Sequence, residues 1–165
     1  MSDDALDRLA ATPKMLAHLV VEATDERLDA AAAAGGWPAR TILAHFRDDE
    51  YLCMRVALER MLAEDVPNLR FIDGAEWAPG RNRTRERTAV LLSDFALQRQ
   101  ASLNILASQR PADWERRGRT EGGREFSIAE FVQAWAAHDV EHLRQLETVL
   151  GETYEAVYER RMARE

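Results

Sequence analysis

Residues 130–150 read EFVQAWAAHDVEHLRQLETVL, and their periodicity decides the fold. At 100° per residue, Phe131, Trp135, His138, His142, Leu146 and Val149 fall within an arc of roughly 80°. The stretch is therefore an amphipathic helix with both histidines in its apolar stripe. Ser127, with Glu130 three residues later, forms a capping box that predicts where this helix starts. An imidazole buried without a partner costs on the order of 1–3 kcal/mol. Two on one core face are either satisfied core residues or a shared metal site. At i and i+4 their Cβ atoms lie about 6 Å apart, and both rings can reach an ion held at about 2.0–2.1 Å.

Three further segments carry helical periodicity and none shows convincing strand alternation, so the expected class is all-α. A first helix is predicted over Ala5 to Val21, with Leu6, Leu9, Leu16, Leu19 and Val20 inward. The run Ala30 to Ala34 and the pair Gly35-Gly36 form a connector, and the glycine pair is a reversal or stop signal. Pro38 fits the first position of a second helix that can run to about Ala63. The segment EDVPNLRFIDGAEWAPGRNR (64–83) holds Pro67, Gly74, Pro79 and Gly80, which predicts an ordered loop with little regular structure. A third helix is expected over Thr84 to Ser108, with Val90, Leu91, Phe95, Leu103 and Leu106 as core residues. RPADWERRGRTEGGREF (110–126) then reads as a hairpin-like excursion before the final helix, which ends near Gly151 or continues toward the terminus.

The chain has 165 residues, enough for one domain, expected over 1–165 with 152–165 as a helical extension. Hydrophobic residues at 46% and charged residues at 31% fit a globular protein rather than a disordered one. A net charge of −7 provides no basic field for phosphate backbones or anionic lipid, so no nucleic acid or membrane partner is expected. The acidic start MSDDALDRLAATPKML lacks a secretory pattern and no apolar run approaches a membrane span, which predicts a cytoplasmic location. Cys53, the only cysteine, sits in an apolar helical pattern and is expected as an inert core thiol.

Two imidazoles do not complete an open metal site, which usually has three protein ligands and a position for water. The candidate third is His45 in WPARTILAHFRDDE (37–50), which by the same angular count shares a face with Ile42, Asp49, Leu52 and Val56. It can meet the pair only if the second and fourth helices are neighbours, as in a four-helix bundle. His18 has no partner at ligand spacing and is expected to be a core or helix-end residue. The letters HDVEH also spell the inverted zinc-peptidase motif H-x-x-E-H. That motif takes its third ligand from a glutamate far downstream, whereas 23 residues follow His142. Glu141 also points toward the helix flank, so the peptidase reading fails.

GGWPARTILAHFRDDE, followed about 90 residues later by FSIAEFVQAWAAHDVEHLRQLE, resembles the DinB-like superfamily, also called DinB/YfiT-like metalloenzymes. The similarity spans nearly the whole chain and includes PADWERRGRTEGGREFS. It implies a four-helix bundle with up-down-down-up connectivity and a metal triad at His45, His138 and His142. It further implies a divalent ion such as zinc or nickel and a homodimer. Asp48, Asp49 and Gln145 are candidates to orient the rings or a bound water. One departure is that Trp37 precedes Pro38 where many relatives place a capping Ser or Thr.

The resemblance implies a metal-dependent enzyme acting on a small molecule, as a low-molecular-weight-thiol-dependent transferase or a hydrolase. Two other classes stay open: a non-catalytic dimeric metal-binding module and a stress-response small-molecule binder. The loop carrying Phe71 and Trp77 is placed either to cover substrate over the metal or to plug one end of the bundle.

Overall fold

The computed structural model describes residues 3–32, 35–81 and 86–164. Four long helical spans pack as a bundle. They are α1 (Asp3–Val20), a continuous span of α3 (Ala39–Asp49), a π-helical turn (Glu50–Met54) and α4 (Arg55–Ala63), then α6 (Thr88–Ala107) and α7 (Ile128–Leu150). Both α1 and α3 pack against both α6 and α7. The order is up, down, down, up. Two successive helices running in the same sense need a long crossover between them, and residues 64–87 supply it. Short helices complete the chain: α2 (Asp25–Asp29), α5 (Gly74–Arg81) and α8 (Tyr154–Met162).

Several boundaries follow from local chemistry. Ser127 accepts a hydrogen bond from the Glu130 amide at 3.2 Å while Glu130 accepts from the Ser127 amide at 2.7 Å, closing the expected capping box. Gly151 adopts the left-handed conformation (φ 65°) that ends α7, and Thr153 caps the separate helix α8. Pro38 stands at the cap position of α3, one residue before the helix, and makes no side-chain capping bond.

Other expectations need correction. The crossover is not mostly irregular, because α5 forms within it and Asn68–Leu69 makes a short strand, β1. The excursion at 110–126 does contain a hairpin, β2 (Arg117–Thr120) with β3 (Glu125–Ser127), and β1 adds to it in parallel as a three-stranded sheet. Four and three residues are too few to show period-two patterning. The third helix starts at Thr88, and the expected start at Thr84 lies outside the described residues, as do residues 33 and 34 of the alanine run. Val90 is exposed, because the inward stripe of α6 is Leu91, Phe95, Arg99, Ser102 and Leu106, polar at two positions. Leu52 and Val56, expected on the His45 face, are 49% and 42% exposed. The π-turn is the cause: its extra residue delays the phase, so Cys53, Met54, Ala57, Leu58 and Met61 are buried instead.

The core divides into two apolar blocks. One gathers Leu9, Met54, Leu58, Met61, Leu106, Phe131 and Trp135, and the other Leu16, Ile42, Phe46, Leu91, Phe95, Leu143 and Leu146. On every bundle helix a polar residue lies between its two contributions: Thr12, Glu50, Arg99 and Asp139, each about 1% exposed. Arg99 Nη1 donates to Asp139 Oδ2 at 2.6 Å and to the Leu9 carbonyl at 2.8 Å, Nη2 to Asp139 Oδ1 at 3.1 Å, and Nε to Glu50 Oε2 at 3.0 Å. Thr12 Oγ1 donates to Asp139 Oδ2 at 2.7 Å. The guanidinium also lies over the Phe95 and Trp135 rings, at 4.9 and 5.4 Å. Such a network is tolerable in a core because each charge is paired and hydrogen-bonded. Among the described residues no helix is long and apolar enough to cross a membrane.

Candidate metal centre

Next to the polar layer, between α3 and α7, the three histidines meet. One nitrogen from each of His45, His138 and His142 lies within 4.8 Å of the others, a spacing that could hold a metal ion. The Nε2 atoms of His45 and His138 are 3.1 Å apart, close to the edge of a tetrahedron with ligands at about 2.0–2.1 Å. His45 is buried and reaches inward from α3, whereas His138 and His142 are half-buried on consecutive turns of α7. Glu141, between them in sequence, is exposed, as the helical count predicts.

A neighbouring side chain fixes which nitrogen the His142 ring offers. His142 Nδ1 lies 2.8 Å from Gln145 Oε1. The amide oxygen can only accept, so Nδ1 carries the proton and Nε2 keeps its lone pair for the centre. His138 Nδ1 is 3.9 Å from Asp139 Oδ1, too far for a hydrogen bond, and has no other hydrogen-bond partner among the described residues. Burial, with like-charge repulsion from His142 and His138, pushes the His45 imidazole down to about 3. Burial and His138 also lower His142. Both rings stay neutral and able to ligate at physiological pH.

Asp49 Oδ2 lies 3.4 Å from His138 Nε2, so this carboxylate borders the centre. Burial raises its pKa against the pull of His138 and His142. Asp48 forms an ion pair with Arg47 at 2.7 Å, and Arg47 also binds Glu86 at 2.8 Å. Cys53 is buried, receives the Ile72 amide at 3.3 Å, and has its thiol pushed up to about 12 by burial and by Asp49. That is the inert core thiol expected. His18 is half-buried near the end of α1, with Tyr154 and Tyr158 each 5.9 Å away, and takes no part in the cluster.

Aromatic rings wall the centre. Trp37 stacks parallel to His142 at 6.0 Å and meets His45 edge-on at 5.1 Å, and Trp77 lies 5.4 Å from His45. Gly74 permits this wall, since a Cβ there would come within 2.7 Å of the Trp37 ring. A cavity of about 420 Å³ opens over the histidines, lined also by Asp49, Met54, Phe71 and Ile72. In the sequence Trp37 stands out only as the residue before Pro38, and Thr12, Glu50, Arg99 and Asp139 carry no motif that marks them as a buried network. The one available signal was Arg99 falling at a core position of α6.

The sequence profile of the DinB superfamily matches residues 8–146, which include all three histidines. The chain belongs to the DinB superfamily. Within that superfamily it is 24% identical over 134 residues to an Oceanobacillus iheyensis protein named "Putative metal-dependent hydrolase", a match covering 81% of this chain and 77% of the relative. Its fold matches YfiT from Bacillus subtilis with a TM-score of 0.77 at 19% identity, covering 92% of this chain and 88% of YfiT. YfiT is described as a probable metal-dependent hydrolase with an unusual four-helix bundle topology. The bundle that the DinB-like motifs implied is thus the one observed.

Proposed function

We propose that this DinB protein is a metal-dependent hydrolase of a small molecule, with His45, His138 and His142 as the ligands of one divalent ion. The observation that carries the proposal is the convergence of three ring nitrogens within 4.8 Å at the floor of a cavity that opens outward. The donor set fits the group, since all three rings can present a lone pair and three neutral ligands suit zinc or nickel. When bound, such an ion supplies Lewis acidity toward water and a substrate oxygen.

The chain's own residues supply the rest. Gln145 holds His142 in the ligating tautomer through its 2.8 Å contact. Asp49 Oδ2, 3.4 Å from His138 Nε2, is placed to accept a proton at the open side of the triad. Trp37 and Trp77 exclude water from the His45 face. The thiol-dependent transferase chemistry implied by the family would use the same cavity, with a low-molecular-weight thiol entering in place of water.

The test is metal analysis of protein purified without an affinity tag or chelator. About one zinc or nickel per chain is expected, and His138→Ala should lose it while keeping the helical circular dichroism. Protein that carries no metal and takes up neither ion on titration would sink the proposal. Binding of mycothiol, bacillithiol or glutathione to the metal-loaded protein would move the reaction from hydrolysis to thiol transfer.

A further inference from the structure

A second cavity adjoins the one over the histidines. Met54 and Phe71 line the histidine cavity on one side and also line this second groove, of about 270 Å³. That groove is built from Phe126, Phe131, Ala134 and Trp135, so it is predominantly apolar and aromatic. Phe131, Trp135, His138 and His142 follow one another at i, i+4, i+7 and i+11 along α7, so the groove leads away from the metal centre along that helix. From His138 back to Phe131 the helix rises roughly 10 Å.

The far end of the groove is bordered by Thr120, Arg124 and Glu130. Glu130 is committed to the Ser127 amide at 2.7 Å. The Thr120 hydroxyl receives the backbone amide of Arg124 at 3.2 Å. The Arg124 guanidinium, at the turn of the hairpin, makes no hydrogen bond or ion pair among the described residues. Its charge reaches Glu130, whose carboxyl is held below its usual range first by its Ser127 hydrogen bonds and then by Arg117 and Arg124, and it stays a cation complementary to an anion.

We propose that the substrate is an amphiphilic small acid: a polar head at the metal centre, an apolar body lying along Phe71, Phe131 and Trp135, and a carboxylate reaching Arg124. The substrate class presupposes the metal centre proposed above. Each buried methylene contributes about fourfold in affinity, so the apolar body sets the specificity.

Hydroxamates, which chelate metal through a constant head group, test this by calorimetry on the zinc-loaded full chain. Octanohydroxamate should bind roughly 30-fold or more tighter than acetohydroxamate. Ala134→Trp places a ring in the groove from an exposed helix position; it should reduce that gain to roughly threefold or less with acetohydroxamate binding unchanged. The monohydroxamate of octanedioic acid, which ends in a carboxylate, should lose roughly five- to tenfold in Arg124→Gln while octanohydroxamate does not. Equal affinity for the two alkyl probes, or a gain that survives Ala134→Trp, overturns the apolar body. An unchanged dicarboxylate-derived probe in Arg124→Gln overturns the anionic end. If no hydroxamate binds, the metal reading fails by itself. Octanoate is then followed by amide chemical shifts at Phe131, Ala134 and Trp135, and the absence of shifts there rejects the groove as well.

Discussion

Arg99 grips Asp139 with both arms of its guanidinium, at 2.6 and 3.1 Å, one residue from the candidate ligand His138. Burial alone would raise the Asp139 carboxyl, but the Arg99 charge and hydrogen bonds hold it below its usual range. Arg99→Met removes the cation and leaves Asp139 and Glu50 buried without it. Breaking a buried pair from one side costs about 3–5 kcal/mol, which at this chain length lowers the melting temperature by roughly 10–15 °C. Thermal unfolding of the variant checks this, and a loss under about 1 kcal/mol would show that the layer is hydrated rather than dry.

Gln145→Leu keeps the size of the side chain and removes the acceptor that sets the His142 tautomer. Metal affinity should fall by about 10- to 100-fold with the fold unchanged. Competition with a chromogenic chelator measures it. An unaltered affinity would mean that His142 is oriented by packing against Trp37 and Phe46, its ring neighbours at 6.0 Å.

The metal-free protein should lose stability in mild acid. His45 sits near 3 when folded and near 6.5 when unfolded. The unfolded chain therefore takes up a proton that the native state refuses. This contribution is complete above pH 6.5 and is lost progressively as pH falls toward 3. His45 alone removes about 1.4 kcal/mol between pH 7.5 and 5.5, and the lowered His142 acts in the same direction. Urea midpoints at the two pH values read the change, which should shrink in His45→Asn.

Cys53 should resist modification in the native state. Its thiol is 3% exposed and pushed up to about 12, so almost no thiolate is present at pH 8. Ellman's reagent should give no colour with folded protein and one equivalent after unfolding. Rapid native reaction would require the helix around the π-turn to open.

Much of the bundle was legible because its signals are local. The Ser127–Glu130 box and the stop at Gly151 mark α7, and an unbroken 100° count over 131–149 puts both histidines on its inner side. His45 was legible for the same reason, since α3 stays regular through Asp49. What escaped was whatever broke the count or contradicted polarity. The π-turn re-aims every residue after Glu50 and leaves no composition signal, so Leu52 and Val56 were read as core. Arg99 and Asp139 are charged, a type ordinarily found at the surface, and only partners supplied by other helices make their burial tolerable. The hairpin strands and α5 owe their form to neighbours that a linear reading cannot place.

The π-turn at Glu50–Met54 also bears on how this helix can change. Were the same residues wound as an ordinary helix of uniform pitch, the wide turn would be lost. Everything on one side would then swing by roughly 100° relative to the other. Either His45 and Asp49 would leave the histidine cluster, or Leu58 and Met61 would leave the core they fill. The ligand-bearing half and the packing half of one continuous helix are thus both aimed inward only because the wide turn between them absorbs one additional residue.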